Sequence, residues 1–213
     1  MRPLIIHSAV FAPIFTLAFS DAARAAIVHT VPPAPITATA YVPDTSQAAM
    51  LDFNNDGVPE MSLNAYHASG FPGDSVGTYL RMQRTGVQLP EENEDLVRLA
   101  AGAPISPAAT FAYFETTPFN VWYGIAGTGE WEYNAPPSYF GFRFEIGGEW
   151  HYGWALAQIT FASSPPSYSA TVLEYAYEGV PGVGIAAGQI PAPSAAGVLV
   201  LGVLGICRRR RGG

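Results

Sequence analysis

The sequence predicts an all-β protein, an antiparallel, jelly-roll-like β-sandwich with one short helix, between an N-terminal signal peptide and a C-terminal transmembrane helix. Composition is the first observation: charged residues make up only 13% of the 213 residues, whereas 22 are glycine and 19 are proline. Such values are typical of turn-rich sheets rather than of helices linked by ion pairs. The second observation is that apolar and polar residues alternate with period two beyond Pro107, as in half-buried strands.

Residues 1–25 are typical of a secretory signal peptide. Arg2 supplies a positive start, and the stretch from Leu4 to Phe19 is largely apolar. Ala23 and Ala25 provide the small side chains that a signal peptidase requires. We expect cleavage after Ala25, with Ala26 as the neighbouring alternative, and therefore an exported mature protein.

The mature chain is expected to begin with an extended, Pro-rich segment over residues 26–40, followed by a sandwich domain over residues 41–189. Short apolar runs separated by glycines between residues 61 and 89 favour short strands joined by turns.

One helix is predicted from Pro90 to Gly102. Proline favours the first helical position, and a group of acidic residues would follow it at the positive end of the helix dipole. Apolar residues then recur at helical spacing, and Gly102 suits the C′ position. The acidic residues are Glu91, Glu92, Glu94 and Asp95, and the apolar ones are Leu96, Leu99 and Ala100.

The strongest strand signal is a hairpin. Phe140, Phe142 and Phe144 would share one face of its first strand, and Gly147-Gly148 makes a tight turn. The second strand, 149–161, would place Trp150, Tyr152, Trp154 and Leu156 on one side. A further strand is predicted from Tyr168 to Glu178, with Leu173, Tyr175 and Tyr177 on a common face. Successive strands with short connections indicate stacked antiparallel sheets.

A candidate calcium loop precedes these strands. Asp52, Asn54, Asp56 and Glu60 place oxygen side chains at relative positions 1, 3, 5 and 9, and Val58 offers its carbonyl at position 7. Gly57 permits a sharp turn, and alternate side chains can then wrap a hard cation such as Ca²⁺. The sequence is not an EF-hand, because Leu63 stands at the position of the bidentate glutamate. The alternative is a metal-free turn whose carboxylates accept hydrogen bonds from their own backbone amides.

Charge and cysteine content exclude other classes. Six of the ten arginines lie in residues 1–25 and the tail, and the chain has no lysine, so residues 26–207 hold four basic and 16 acidic side chains and a charge near −12. Phosphate backbones would repel such a body, which argues against nucleic-acid binding. The single cysteine, Cys207, excludes an internal disulfide and a Cys-based zinc site.

Exposed aromatic and acidic residues raise a second possibility, a carbohydrate-binding face or a glycan-active enzyme. Trp131, between Glu130 and Glu132 in a Gly-rich stretch, is expected to be the most exposed of the tryptophans Trp122, Trp131, Trp150 and Trp154. The acid pairs Glu130/Glu132 and Glu145/Glu149 could serve glycoside hydrolysis. Core aromatics at strand spacing are the commoner interpretation. His29, His67 and His151 are scattered, and nothing supports nucleophilic or zinc catalysis.

Residues 190–213 combine three parts in a fixed order. The motif Pro191-Ala192-Pro193 comes first, followed by an uncharged apolar segment over 195–207 and then by Arg208, Arg209, Arg210 and Arg211. As a helix the segment is roughly 20 Å long, less than a bilayer core of about 30 Å. The arginines would hold the tail's end in the cytoplasm and the body outside it. This length suits a transient stop that an enzyme processes, with a plain membrane anchor as the alternative.

The tail resembles a PEP-CTERM sorting signal, with Pro191-Ala192-Pro193 standing where that motif has Pro-Glu-Pro. Several stretches of the body are similar to a recurrent exported β-sandwich that precedes such signals. These stretches are Asp52 to Glu60, Leu99 to Ser106, Tyr139 to Phe144, Tyr152 to Trp154 and Leu173 to Gly188. The resemblance implies an exosortase-type transpeptidase as a partner and a place in the cell envelope or exopolysaccharide matrix.

We therefore expect a non-enzymatic exported protein, tethered transiently to the inner membrane and then delivered to the cell surface or extracellular matrix. The alternative from a different class is the secreted carbohydrate-binding module or glycan-active enzyme described above.

Overall fold

The computed structural model describes residues 26–70, 74–90, 95–123 and 126–191, and for residues 122, 123 and 126–128 it describes the backbone alone. In these ranges the chain forms 14 strands and no helix. The strands are β1 Ile27–Thr30, β2 Ile36–Tyr41, β3 Ser46–Leu51, β4 Met61–Ala68, β5 Ser75–Met82, β6 Val87–Pro90, β7 Pro104–Ile105, β8 Phe111–Ala112, β9 Thr116–Tyr123, β10 Ala126–Thr128, β11 Ser138–Ile146, β12 Glu149–Ser163, β13 Pro166–Glu178 and β14 Ile185–Ala186.

Two antiparallel sheets contain most of these strands. The larger sheet has the order β1-β13-β12-β11-β6-β8, and β2 also pairs with β13, at the end of β13 opposite to β1. The smaller sheet has the order β10-β9-β5-β4-β3, and β7 and β14 form a separate two-stranded ribbon. The predicted all-β, antiparallel class is confirmed, and the arrangement is consistent with a β-sandwich.

The main core contains buried residues from both sheets. Phe140, Phe142 and Phe144 of β11 are fully buried and lie along one face, with neighbouring rings tilted to each other and their centroids 6.2 and 5.9 Å apart. Leu63 of β4 and Leu80 of β5 belong to the same cluster and have no exposed surface. The period-two pattern of β11 therefore identified the core face of the larger sheet correctly.

A second apolar cluster lies on the opposite face of the larger sheet. Trp154 pairs with Gly141, between Phe140 and Phe142, so its side chain points away from the main core. Ile105 of β7 and Ile185 of β14 pack against this fully buried tryptophan. The β7–β14 ribbon thus covers apolar side chains that would otherwise face water.

The helix expected from Pro90 to Gly102 is wrong for the residues that the structure describes. Pro90 ends β6, and residues 91–94 lie outside the described ranges. Leu99 instead forms an isolated antiparallel bridge with Tyr139, and the Leu96 amide donates to the Pro118 carbonyl at 3.2 Å. Because these backbone groups bond to strands on either side, they are not paired along a helix.

The residues over 26–40, expected as an extended segment ahead of the sandwich, contribute strands to the larger sheet. They supply β1 and most of β2, and both strands pair with β13 at an edge of the larger sheet. Sheet pairing therefore begins at Ile27, well before residue 41.

No helix within the described ranges is long and apolar enough to cross a membrane. The predicted signal peptide, residues 1–25, and the predicted membrane segment, residues 195–207, lie outside those ranges.

Candidate metal centre

The Asp/Asn-rich loop connects β3 to β4 and is fastened to the body at both ends. At its base the Glu60 amide donates to the Leu51 carbonyl at 2.9 Å. Phe53 points inward, is 2% exposed and stacks on Phe142 at a centroid distance of 4.0 Å. The Tyr175 hydroxyl also donates to the Asp52 carbonyl at 3.2 Å. A buried aromatic anchor therefore holds the polar part of the loop at the surface.

Two carboxylates of the loop accept hydrogen bonds from the loop's own backbone. Asp52 accepts from the Asp56 amide at 3.2 Å and from the Gly57 amide at 2.8 Å. Asp56 in turn accepts from the Val58 amide at 2.8 Å. Left-handed backbone at Asn55 (φ 57°) and Gly57 (φ 86°) makes the turn tight enough for these bonds. These are the contacts that the metal-free alternative predicts.

Glu60 differs from the other acids because its side chain is completely buried. One carboxylate oxygen accepts from the Phe53 amide at 2.7 Å, and the other accepts from the Arg84 guanidinium. Burying a carboxylate without such partners would cost several kcal/mol. Glu60 therefore joins the inner end of the loop to the turn that follows β5.

Ligand atoms of Asp52, Asp56 and Glu60 lie within 4.8 Å of one another, so this acidic cluster can hold a metal ion. The structure thus brings together the three carboxylates among the ligands that the sequence spacing predicts. Hard cations such as Ca²⁺ take six to eight oxygen ligands, and loop carbonyls and water would have to complete the set.

Arg84 already places a positive charge among these predicted ligands. Its guanidinium donates to the Val58 carbonyl at 2.8 Å, lies 3.8 Å from an Asp56 carboxylate oxygen and is hydrogen-bonded to Glu60. A metal ion that used all of these oxygens would have to displace the guanidinium. The Arg84 charge therefore partly neutralises the carboxylates of the loop.

Hydrogen bonding also stabilises the charged form of Asp56. The Val58 amide, followed by the Asn54 side-chain amide, holds the pKa of the Asp56 carboxyl below its ordinary value of 3.8, and the nearby Arg84 charge acts in the same direction. Asp56 is therefore an anion throughout the physiological pH range, as a metal ligand or an ion-pair partner must be.

The sequence did not single out Arg84, which lies 24 residues beyond Glu60. One signal was present: Arg84 is one of only four arginines in residues 26–207, against 16 acidic side chains. In so acidic a body, each cation is a candidate partner for a buried carboxylate.

The expected exposure of Trp131 is wrong. This side chain is 3% exposed, its Nε1 donates to the Leu96 carbonyl at 2.8 Å, and its ring meets Phe119 edge-on at 4.9 Å. Trp154 is also buried, whereas Trp150 is half-buried and lies 4.3 Å from the Arg143 guanidinium. Trp122 has no described side chain. Trp131 therefore provides no surface on which a sugar can stack.

The paired acids proposed for glycoside hydrolysis, Glu130/Glu132 and Glu145/Glu149, are all exposed to solvent. A general acid of that kind needs burial or a close anion to keep its proton at neutral pH.

The three described histidines lie apart: His29 contacts Glu174 at 2.8 Å, His67 lies between Asp44 and Asp74, and His151 contacts the Glu178 carbonyl.

The remaining predicted residues lie at or beyond the ends of the described ranges. Pro191 is the last described residue and is exposed. Ala192 and Pro193, the arginines 208–211 and the cleavage residues Ala23 and Ala25 lie outside.

Comparison of the chain with models of protein families, with curated proteins and with solved structures gave no significant match in any of the three.

Proposed function

We propose that this chain is a non-enzymatic, exported β-sandwich protein of the cell envelope or extracellular matrix, sorted by its C-terminal segment. The observation that carries the proposal is the order of the tail: Pro191-Ala192-Pro193, an uncharged segment over 195–207 and the arginines 208–211. An export leader at the other end and an acidic body are consistent with that destination.

The end of the sandwich supports access by a processing enzyme. Gln189 is the last residue with a described tertiary hydrogen bond. Its carbonyl accepts from Trp154 Nε1 at 3.0 Å. Ile190 is 54% exposed and Pro191 is exposed as well. Pro191, the first residue of the proline motif, thus lies exposed just after the last described hydrogen bond to the body, which is compatible with access by a transpeptidase.

Intact-mass analysis of the protein recovered from its own cells tests this proposal. We expect a chain that begins after the signal peptide and has lost the arginines 208–211, and we expect the full tail to persist in cells that lack an exosortase-type transpeptidase. Recovery of an intact Gly213 terminus in normal cells would contradict sorting and would favour a plain anchor.

We further propose that the ion suited to the Asp52–Glu60 loop is Ca²⁺. Support comes from the three converging carboxylates and from the exclusively oxygen ligands that the loop offers. Calorimetric titration at millimolar Ca²⁺, with the Asp56→Ala variant as control, tests the proposal. Heat of binding in the natural chain that the variant lacks would support it, whereas no heat in the natural chain would exclude it.

A further inference from the structure

The first described residue, Ala26, makes a long-range contact. The Ala26 nitrogen donates to a Glu178 carboxylate oxygen at 2.8 Å, although 152 residues separate the two in sequence. The Ala26 carbonyl accepts from the Gly179 amide at 3.0 Å, and Ile27 pairs with Glu178 at the start of β1. Ala26 is therefore held on both its nitrogen and its carbonyl side.

Glu178 is 1% exposed and ends β13. The same carboxylate oxygen also accepts from the Val180 amide at 3.0 Å. Among the described residues no arginine or histidine forms an ion pair with this carboxylate. Buried carboxylates are normally paired with a cation, so two neutral amide donors leave the charge of Glu178 only partly compensated.

We propose that cleavage of the Ala25–Ala26 bond creates the missing cation, and that the new α-ammonium group of Ala26 binds Glu178 as a buried ion pair. This inference rests on the export step of the proposed function. A signal peptidase adds water across the Ala25–Ala26 amide: the C–N bond breaks, the oxygen stays on the Ala25 carboxylate, and the Ala26 nitrogen gains the protons of an ammonium ion.

The position of the cut is decisive for this pairing. Cleavage after Ala25 leaves the nitrogen that is already 2.8 Å from Glu178 as the new terminus. Cleavage after Ala26 would remove both that nitrogen and the carbonyl bonded to Gly179. Gly179 also has no room for a side chain, because a Cβ there would lie 2.6 Å from the Ala26 carbonyl. Of the two expected cuts, only the one before Ala26 therefore keeps both backbone contacts of this residue.

The test compares two recombinant forms of residues 26–213 at several pH values, one with a free Ala26 amine and one with an acetylated amine. Acetylation keeps one N–H donor but removes the charge, so it mimics the uncut precursor at this atom. At neutral pH we expect the melting temperature of the acetylated form to be about 3–10 °C below that of the free-amine form, because a charged hydrogen bond is lost.

The pH profile gives the test its specificity. Pairing with a carboxylate raises the pKa of an α-amine above its ordinary value of about 8, so the added stability is present below that value and is lost as the pH rises through the raised one. The acetylated form should lack this alkaline loss. His151, whose Nδ1 lies 2.8 Å from the Glu178 carbonyl, and Tyr177, 6.1 Å from His151 between ring centroids, are ionisable neighbours common to both forms.

Glu178→Gln supplies the matched control. In that variant acetylation should no longer change the melting temperature, whereas an unchanged effect of acetylation would overturn the pairing with Glu178. If the variant does not fold, an NMR titration of the Ala26 amine in the unsubstituted chain decides: an apparent pKa at the ordinary value would contradict the proposal.

Amino-terminal sequencing of the exported protein separates this inference from the sorting proposal. A mature chain that begins at Ala26 supports the cut, and one that begins at Ile27 or later contradicts it, whatever becomes of the C-terminal tail. Conversely, an unprocessed tail on a chain that begins at Ala26 would contradict sorting and leave the ion pair supported.

Discussion

At the scale of single residues, Arg84 occupies part of the space that a cation in the Asp52–Glu60 loop would need. Because its guanidinium contacts Val58, Asp56 and Glu60, a metal ion would compete with it for the same oxygens. We expect Arg84→Met to raise the affinity for Ca²⁺ about tenfold, equivalent to ~1.4 kcal/mol, since one positive charge leaves the site. Titration calorimetry measures the change.

Arg81→Met is the control for that experiment. Arg81 is also an arginine from the region of β5, but it pairs with Glu115 on the surface at 3.3 Å, away from the loop. Its replacement should leave the affinity unchanged. Equal affinities for Arg84→Met and the natural chain would show that the guanidinium does not compete with the ion.

Ionisation of Asp56 makes the stability of the folded chain depend on pH in the acid range. Hydrogen bonds hold its pKa below 3.8 in the folded chain, so its contribution to stability is present above that value and is lost as the pH falls through the lowered pKa. Asp56→Asn should therefore lose less stability on acidification than the natural chain does. Urea unfolding at several pH values from neutral to about pH 3 measures this difference.

Glu149→Gln provides the comparison, because Glu149 is an exposed acid at the start of β12. Identical profiles for the Asp56 and Glu149 variants would show that the loop hydrogen bonds do not stabilise the carboxylate.

At the scale of elements, the segment after β10 depends on a glycine. Gly129 has φ 110°, and a Cβ there would lie 2.2 Å from the Phe119 carbonyl oxygen of β9. Gly129→Ala should therefore destabilise the fold by more than about 3 kcal/mol, since β9 must move as well as the turn. Chemical denaturation measures the loss.

The Gly147→Ala variant separates the cost of a strained backbone from the cost of a steric clash. Gly147 also has a positive φ, 63°, but a Cβ there would meet nothing within 4 Å. Its replacement should cost only about 1 kcal/mol. A comparable loss at the two glycines would mean that close contact with β9 adds nothing.

The sequence revealed some elements and hid others for identifiable reasons. The β11–β12 hairpin was predictable because its alternation and its Gly-Gly turn are local signals. Acidic residues after Pro90 are equally local signals for a helix, yet the amides of Leu96 and Leu99 are bonded to distant strands. Local preference was overridden there by partners that sequence spacing does not show.

A bulge explains why the regular period-two alternation predicted for β13 does not hold along the whole strand. The register shifts between Leu156 and Ala157, and opposite this point the partner residue changes from Glu174 to Val172. One extra residue reverses the alternation, so Val172 and Tyr175 both reach the core. In the candidate site, the loop spacing was similarly readable, whereas its contact with Arg84 depends on tertiary structure.

At the scale of the whole molecule, the stability of the folded body should be independent of the tail that we propose to be a sorting signal. A chain that ends at Ile190 keeps β14 and the Gln189 contact with Trp154. We expect its melting temperature to equal that of residues 26–213. Calorimetric scanning of the two chains measures this directly.

A chain that ends at Val183 should behave differently. It lacks β14, so Ile185 no longer covers Trp154 and Ile105. Exposing that cluster should cost about 3 kcal/mol or more and lower the melting temperature clearly. If both shortened chains melted alike, the β7–β14 ribbon would contribute no stability.

The contact between Ala26 and Glu178 also bears on the stage at which this protein gains its full resistance to unfolding. If the chain is cut after Ala25 as we propose, a precursor without the terminal ammonium group would unfold more readily than the cleaved chain, since a buried charge would lack its counter-ion. Such a cut would not be reversed, so the gain in stability would come once, at the step of export in the proposed function. The uncut polypeptide would then be the less stable form and the cut polypeptide the more stable one.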